Sequence, residues 1–157
     1  MIAAQIQSQP VPLWLAAAPE DAGKAASAHE DSRDVRMRQL RVLIVEDEFY
    51  ISLHTRGLLQ ALGHVVVAVA VSADQAVTIA ERERPDVVLM DIRLTGARDG
   101  IDAADEISDR FGIASIFVTA NTDRDTRRRA EAVQPLGFLE KPLTEQRLRL
   151  GLSKLAH

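Results

Sequence analysis

Five short apolar runs punctuate the sequence from residue 41 onward: VLIV (42–45), VVVAVAV (65–71), VVLM (87–90), ASIFV (114–118) and LGFL (136–139). Segments of helical length separate them. FYISLHTRGLLQAL (49–62) sets Ile51, Thr55, Leu58, Leu59 and Leu62 near one helical face, and Gly63 suits its C-terminal stop. Ser72 can cap a second helix that starts near Ala73, carries Ala76, Val77, Ile79 and Ala80, and ends before Pro85. Further helices are expected over about 100–111, 122–133 and 144–156. Strands that alternate with helices build a parallel sheet covered on both faces, and such strands read as near-continuous apolar runs. Right-handed crossovers leave few arrangements. The expected fold is a flavodoxin-like, doubly wound α/β sheet of five parallel strands in the order 2-1-3-4-5, with five helices.

The first 39 residues break this rhythm and read as a flexible N-terminal extension ahead of a domain spanning 40–157. The one apolar patch of that extension, VPLWLAAA (11–18), is short and has no basic residue before it, which argues against a secretion signal. It could instead dock elsewhere through Trp14 and Leu15. The net charge of −4 supplies no overall basic field to recruit nucleic acid, and no run approaches the roughly 20 apolar residues that span a bilayer. Cysteine is absent, which excludes disulfides and thiolate metal sites. A cytoplasmic protein without a membrane or nucleic-acid partner is the expectation.

Why does the first run, a buried strand by its composition, stop at Glu46-Asp47-Glu48? Ligands of doubly wound sheets bind beyond the carboxyl ends of the strands, near the switch in strand order. Strand one exits into Glu46 and Asp47, strand three into Asp91, strand four into Thr119, and strand five into Lys141 by way of Glu140. In the expected order these side chains converge on one rim. Carboxylates without a His or Cys cluster suit a hard cation held by oxygen, which makes Mg²⁺ (or Mn²⁺) the expected cofactor. A metal beside a carboxylate also lets that carboxylate act on an incoming phosphoryl group, whose oxygens Thr119 and Lys141 could grip.

The motifs VLIVEDE, VVLMDIRL, IFVTA and FLEKP, in this order and spacing, resemble the receiver domain of two-component response regulators across roughly residues 40–156. DIRLTGARDGIDAA adds a weaker resemblance to alphaproteobacterial general-stress and phytochrome-linked receivers. The resemblance implies that Asp91 is the phosphoacceptor. It implies that Asp47, Asp91 and the backbone carbonyl of Arg93 bind the metal, with Glu46 supporting it through water. Thr119 would be the switch hydroxyl, Phe138 the switch aromatic, and Lys141 the phosphate-binding lysine, joined to Pro142 by a cis bond. Arg93 and Asn121, two residues after Asp91 and Thr119, would tune dephosphorylation. The implied partners are a sensor histidine kinase or a histidine phosphotransfer protein. A homodimer or an output partner would use the face formed by the fourth and fifth helices.

The departures are specific. Receivers usually carry Met-Pro soon after the acceptor, whereas Leu94-Thr95-Gly96-Ala97-Arg98 precedes Asp99-Gly100 here, in a loop one residue longer than common. Phe138 stands where many relatives have Tyr. The fourth helix, TDRDTRRRAEAV, offers few apolar residues and reads as a movable surface with Arg127, Arg128 and Arg129 exposed. Because the sequence ends 16 residues after Lys141, a stand-alone receiver that catalyses only its own phosphorylation and dephosphorylation is expected. Two other readings remain. One is a phosphate-independent pseudo-receiver that only binds partners. The other is a Mg²⁺-dependent hydrolase, which would normally need a carboxylate where Arg93 stands.

Overall fold

The computed structural model of the chain describes residues 38–155, so the expectations for Trp14, Leu15 and the extension through residue 37 lie outside the described residues. Five strands form one parallel sheet in the order β2-β1-β3-β4-β5. They are β1 (Arg41–Val45), β2 (Val65–Ala70), β3 (Val87–Asp91), β4 (Ser115–Thr119) and β5 (Gly137–Glu140). The helices are α1 (Phe49–Ala61), α2 (Ala73–Glu83), α3 (Gly100–Phe111), α4 (Arg124–Ala132) and α5 (Glu145–Leu152), the last followed by a 3-10 turn over Ser153–Leu155. No described helix is long and apolar enough to cross a membrane.

Alternation along the central strands splits the core in two. Leu43, Val45, Val88, Met90 and Phe117 pack with Ala76, Val77, Ala80, Ile101, Ala104 and Ile107 of α2 and α3. Val42, Ile44, Leu89, Ile116 and Val118 pack with Leu59 of α1 and with Leu148 and Leu152 of α5. Such two-sided burial is why these strands are apolar through Val42–Val45, Val87–Met90 and Ile116–Val118. The ends of β3 and β4 lie one residue beyond their apolar runs. Asp91 and Thr119 belong to the strands themselves, because the register pairs Asp91 with Val118 and Thr119 with Glu140. Both polar side chains are thereby fixed by the sheet rather than by a loop.

Helix starts follow local chemistry. Ser72 accepts from the Gln75 amide, Thr144 from the Arg147 amide and Asp123 from the Thr126 amide, each supplying an oxygen to an orphan donor of the first turn. Because Asp123 caps α4, that helix begins two residues later than the sequence spacing suggests. At α3, Asp99 and Asp102 form a reciprocal capping box. Arg129 of α4 reaches across to both, at 2.9 and 3.3 Å.

Within α4, Ala130 is the buried residue, whereas α1 buries Ser52, Thr55 and Leu59. Elements that bury little open at low cost. In hydrogen exchange, α4 amides should therefore exchange faster than α1 amides; equal protection would contradict this reading of α4.

His64 is a further buried polar group, and its Nδ1 accepts the Leu40 amide at 3.2 Å. Burial lowers its pKa, so the folded state resists a proton that the unfolded chain accepts readily. Stability is thus present at neutral pH and lost as pH falls through the unfolded value near 6.5. Between pH 7 and 5, His64→Asn should flatten the pH dependence of the melting free energy by up to about 1.4 kcal/mol per pH unit, the slope for one proton. An unchanged slope would show that other groups govern the acid limb.

Candidate functional site

The polar ends of β1, β3, β4 and β5 meet at the carboxyl rim of the sheet. Glu46 and Asp91 are buried there, and Asp47 is half-buried. One carboxylate oxygen from each of Glu46, Asp47 and Asp91 lies within 4.8 Å of the others. Lys141 enters this cluster from just past β5, where its backbone N–H donates to the Thr119 carbonyl at 2.8 Å. Its ammonium donates to Glu46 Oε2 at 2.8 Å and to Asp91 Oδ2 at 3.2 Å. The Lys141–Pro142 peptide bond is cis.

The second oxygen of Asp91, Oδ1, accepts the Arg93 amide at 3.2 Å. Glu46 Oε1 likewise accepts the Glu48 amide at 3.1 Å, and Asp47 Oδ2 accepts the Thr95 amide at 3.1 Å. Each carboxylate is therefore oriented by backbone, and Glu46 and Asp91 by the Lys141 charge as well. Gly100 presses on Asp91 from behind, since a Cβ at that position would lie 1.9 Å from the Asp91 carbonyl oxygen. No side chain larger than hydrogen fits where α3 meets the end of β3.

Burial, then the neighbouring Glu46 charge, push the Asp91 carboxyl up to about 6, while the Lys141 ammonium pulls the other way. Burial works against the Lys141 charge as well, but the Glu46 hydrogen bond and the Asp91 and Glu46 charges outweigh it and raise its pKa. A deficit of positive charge remains. Three oxygen-donor carboxylates with one ammonium among them match what a hard divalent cation requires, so the residues fit Mg²⁺.

Thr119 is buried beside Asp91 and Lys141, and no described side chain bonds its hydroxyl. Glu48, Arg93, Asn121 and Ala120 complete a cavity of about 190 Å³ with these three residues. Phe138 lies on the far side of Thr119, in a groove of about 530 Å³ between α4 and the start of α5. Its ring tilts against Phe117 at 5.6 Å, and the Arg127 guanidinium covers it at 3.6 Å.

Several structural details escaped the sequence reading. The paired roles of Arg127 and Arg129 depend on tertiary neighbours, which a run of three arginines does not reveal. Phe49 and Tyr50 stand 70% and 82% exposed, edge to face at 5.5 Å, with exposed Leu53 one turn on. Helical spacing hinted at this patch, because these apolar positions fall off the core-facing side of α1. The Thr95 amide had no signal in the sequence beyond the missing Pro.

The response regulator receiver domain pattern matches residues 42–152. Over 104 residues the chain is 38% identical to the transcriptional regulatory protein PdtaR of Mycobacterium tuberculosis, covering 66% of this chain and 50% of PdtaR. It is 36% identical over 102 residues to the phyllosphere-induced regulator PhyR of Methylorubrum extorquens, covering 64% of this chain and 38% of that protein. The chain thus spans half or less of the length of these curated relatives. Among solved structures, the signal receiver domain of a modulated diguanylate cyclase from Desulfovibrio desulfuricans superposes with a TM-score of 0.71 at 36% identity, covering 75% of this chain and 93% of that one. The response regulator PhyR from Brucella abortus gives 0.65 at 30% identity, covering 78% and 49%.

The raised Asp91 pKa has a consequence for stability that can be measured without a substrate. A carboxyl whose folded pKa exceeds its unfolded value stabilises the fold only while protonated, so stability is lost as pH rises from about 4 through about 6. In EDTA, Asp91→Asn should be more stable than wild type at pH 7.5, by about 1–3 kcal/mol. The gap should close by pH 4. A variant less stable than wild type at neutral pH would show that Lys141 overcompensates the burial.

Proposed function

Because the chain belongs to the response regulator receiver domain family, we propose that it accepts a phosphoryl group on Asp91 from a phosphorylated histidine of a partner protein. That partner is a sensor histidine kinase or a histidine phosphotransfer protein. The observation that carries this reading is the Lys141 ammonium set between the buried Glu46 and Asp91 carboxylates, with Asp47 in the same cluster. The receiver domain spans residues 40–157, residues 1–39 are an extension, and the protein works in the cytoplasm.

One oxygen of Asp91 attacks phosphorus in line with the departing imidazole nitrogen. The P–O bond forms as the P–N bond breaks, and the electron pair stays on the imidazole. The donor histidine leaves neutral, because its other ring nitrogen already carries a proton. The product on this chain is an aspartyl phosphate. Asp47, Asp91 and the Arg93 carbonyl, with Glu46 acting through water, would hold a Mg²⁺ or Mn²⁺ ion whose charge offsets the carboxylates and the incoming phosphoryl oxygens.

An ammonium has three N–H bonds. With two of those of Lys141 directed at Glu46 and Asp91, the third is available to a phosphoryl oxygen. The Thr119 hydroxyl can donate to a second one. Moving Thr119 toward the phosphoryl group opens space beside Phe138, whose ring can then turn inward from under Arg127. That rearrangement would change the face formed by α4 and α5, where an output partner or a second copy would bind. Exposed Arg93 and Asn121 line the mouth of the Asp91 cavity and set the access of hydrolytic water. Phe49, Tyr50 and Leu53 offer an apolar landing surface beside the acidic rim for the phosphodonor.

Incubation with Mg²⁺ and acetyl phosphate should add one phosphoryl group, detected by intact mass. EDTA and Asp91→Ala should each abolish the adduct, and Lys141→Ala should slow its formation by about 10²-fold, as for loss of a donor to developing charge. Labelling that survives Asp91→Ala would overturn the assignment. A protein that never labels yet still binds its partner would instead be a phosphate-independent pseudo-receiver.

A further inference from the structure

Two of the three clustered carboxylates are gripped by Lys141, and the third is not. Among the described residues, the Asp47 carboxylate has one hydrogen bond, from the Thr95 main-chain N–H to Oδ2 at 3.1 Å. Asp47 sits in the bend between β1 and α1, where no regular element fixes its side chain. Resting on the metal-binding reading above, we propose that the Thr95 amide is the positioning donor for Asp47, turning its remaining lone pairs toward the metal site.

The loop is built to hold that amide still. Leu94, immediately before it, is buried in the core with Ile92 and Ile101. Gly96, immediately after it, adopts φ of +124°, a turn that a residue with a Cβ would rarely make. At the far end, Arg98 donates to Asp74 of α2 at 3.0 Å and also to Glu106 of α3. Gly100 closes the loop by donating its N–H to the Ile92 carbonyl at 2.9 Å. Anchors on both sides leave the Thr95 N–H little freedom except toward Asp47.

The donor exists because residue 95 is not proline. Leu94-Thr95 stands in the run where the family resemblance implies Met-Pro, and proline has no N–H to give. A carboxylate offers about four lone-pair sites, so one accepted hydrogen bond leaves oxygen free for a cation. Partners that orient a metal-binding carboxylate typically change metal affinity by 10- to 100-fold when removed.

Calorimetric titration of Mg²⁺ into the full chain tests this, with wild type, Thr95→Ala and Thr95→Pro compared. Thr95→Ala keeps the amide and should bind within about twofold of wild type. Thr95→Pro removes it and should bind about tenfold more weakly, with a metal-free melting temperature close to wild type. Amide exchange in EDTA adds a readout independent of metal. The Thr95 amide should be protected in wild type and lose that protection in Asp47→Ala, which decides the matter if Thr95→Pro does not fold. Equal Mg²⁺ affinity of Thr95→Pro and wild type, Thr95→Ala as weak as Thr95→Pro, or Thr95 exchange indifferent to Asp47 would each overturn the proposal. A wild type that binds no Mg²⁺ would instead remove the metal-dependent function, leaving the exchange comparison to judge the Thr95–Asp47 bond.

Discussion

The Lys141 ammonium, inserted between Glu46 and Asp91, is the contact around which the site is arranged. With carboxylate oxygens less than 5 Å apart, each like-charge pair costs on the order of 3–4 kcal/mol at an effective dielectric of about 20. Each close ammonium contact returns roughly one and a half times that. Three repulsive pairs set against two attractive contacts come near to balance before desolvation is counted. Burial of Glu46 and Asp91 then tips the sum against full ionisation, as the raised pKa of Asp91 shows. A second positive centre is what the arrangement lacks. On electrostatic grounds the acidic cluster therefore suits a divalent cation.

Sheet order and core packing hold those charges close despite their repulsion. The sheet order places β1 beside β3 and β3 beside β4, and the two-sided core prevents any strand from sliding. The Thr119 carbonyl fixes the Lys141 backbone, and α3 abuts Asp91 through Gly100. The same α3 start carries the Asp99 and Asp102 box that Arg129 holds from α4. A continuous path of backbone and ion pairs thus runs from Asp91 to the most weakly buried helix of the domain. Exposed ion pairs contribute little individually, so Arg129 restrains α4 without locking it.

Most of this was legible in the sequence because the central strands carry unbroken apolar runs that stop at polar residues on the carboxyl rim. A polar residue after such a run marks a position on the rim, and Glu46, Asp47, Asp91, Thr119 and Lys141 are all brought together there. Boundaries were less legible. The ends of β3 and β4 run one residue further than their apolar stretches, since ladder pairing is indifferent to side-chain polarity. Contacts made by main-chain N–H groups leave no trace in residue type beyond the absence of proline, which is why the Thr95 bond to Asp47 could not be read. Nor could the neutral burial of His64 be foreseen: its environment comes from Leu40, at 24 positions' remove, and an isolated histidine carries no periodic signal.

The closure at Gly100 has a consequence for how the domain tolerates change in length. With the Gly100 N–H on the Ile92 carbonyl and its Cα against Asp91, the ends of the intervening excursion meet at a fixed point. Inserting residues into a closed excursion adds only a slowly growing entropic term. Length can therefore vary at the exposed tip, between Gly96 and Ala97, while Asp91 and the start of α3 keep their places and only the neighbouring Thr95 bond to Asp47 is perturbed. That tip is the natural place to graft a reporter peptide or a foreign recognition sequence onto this scaffold.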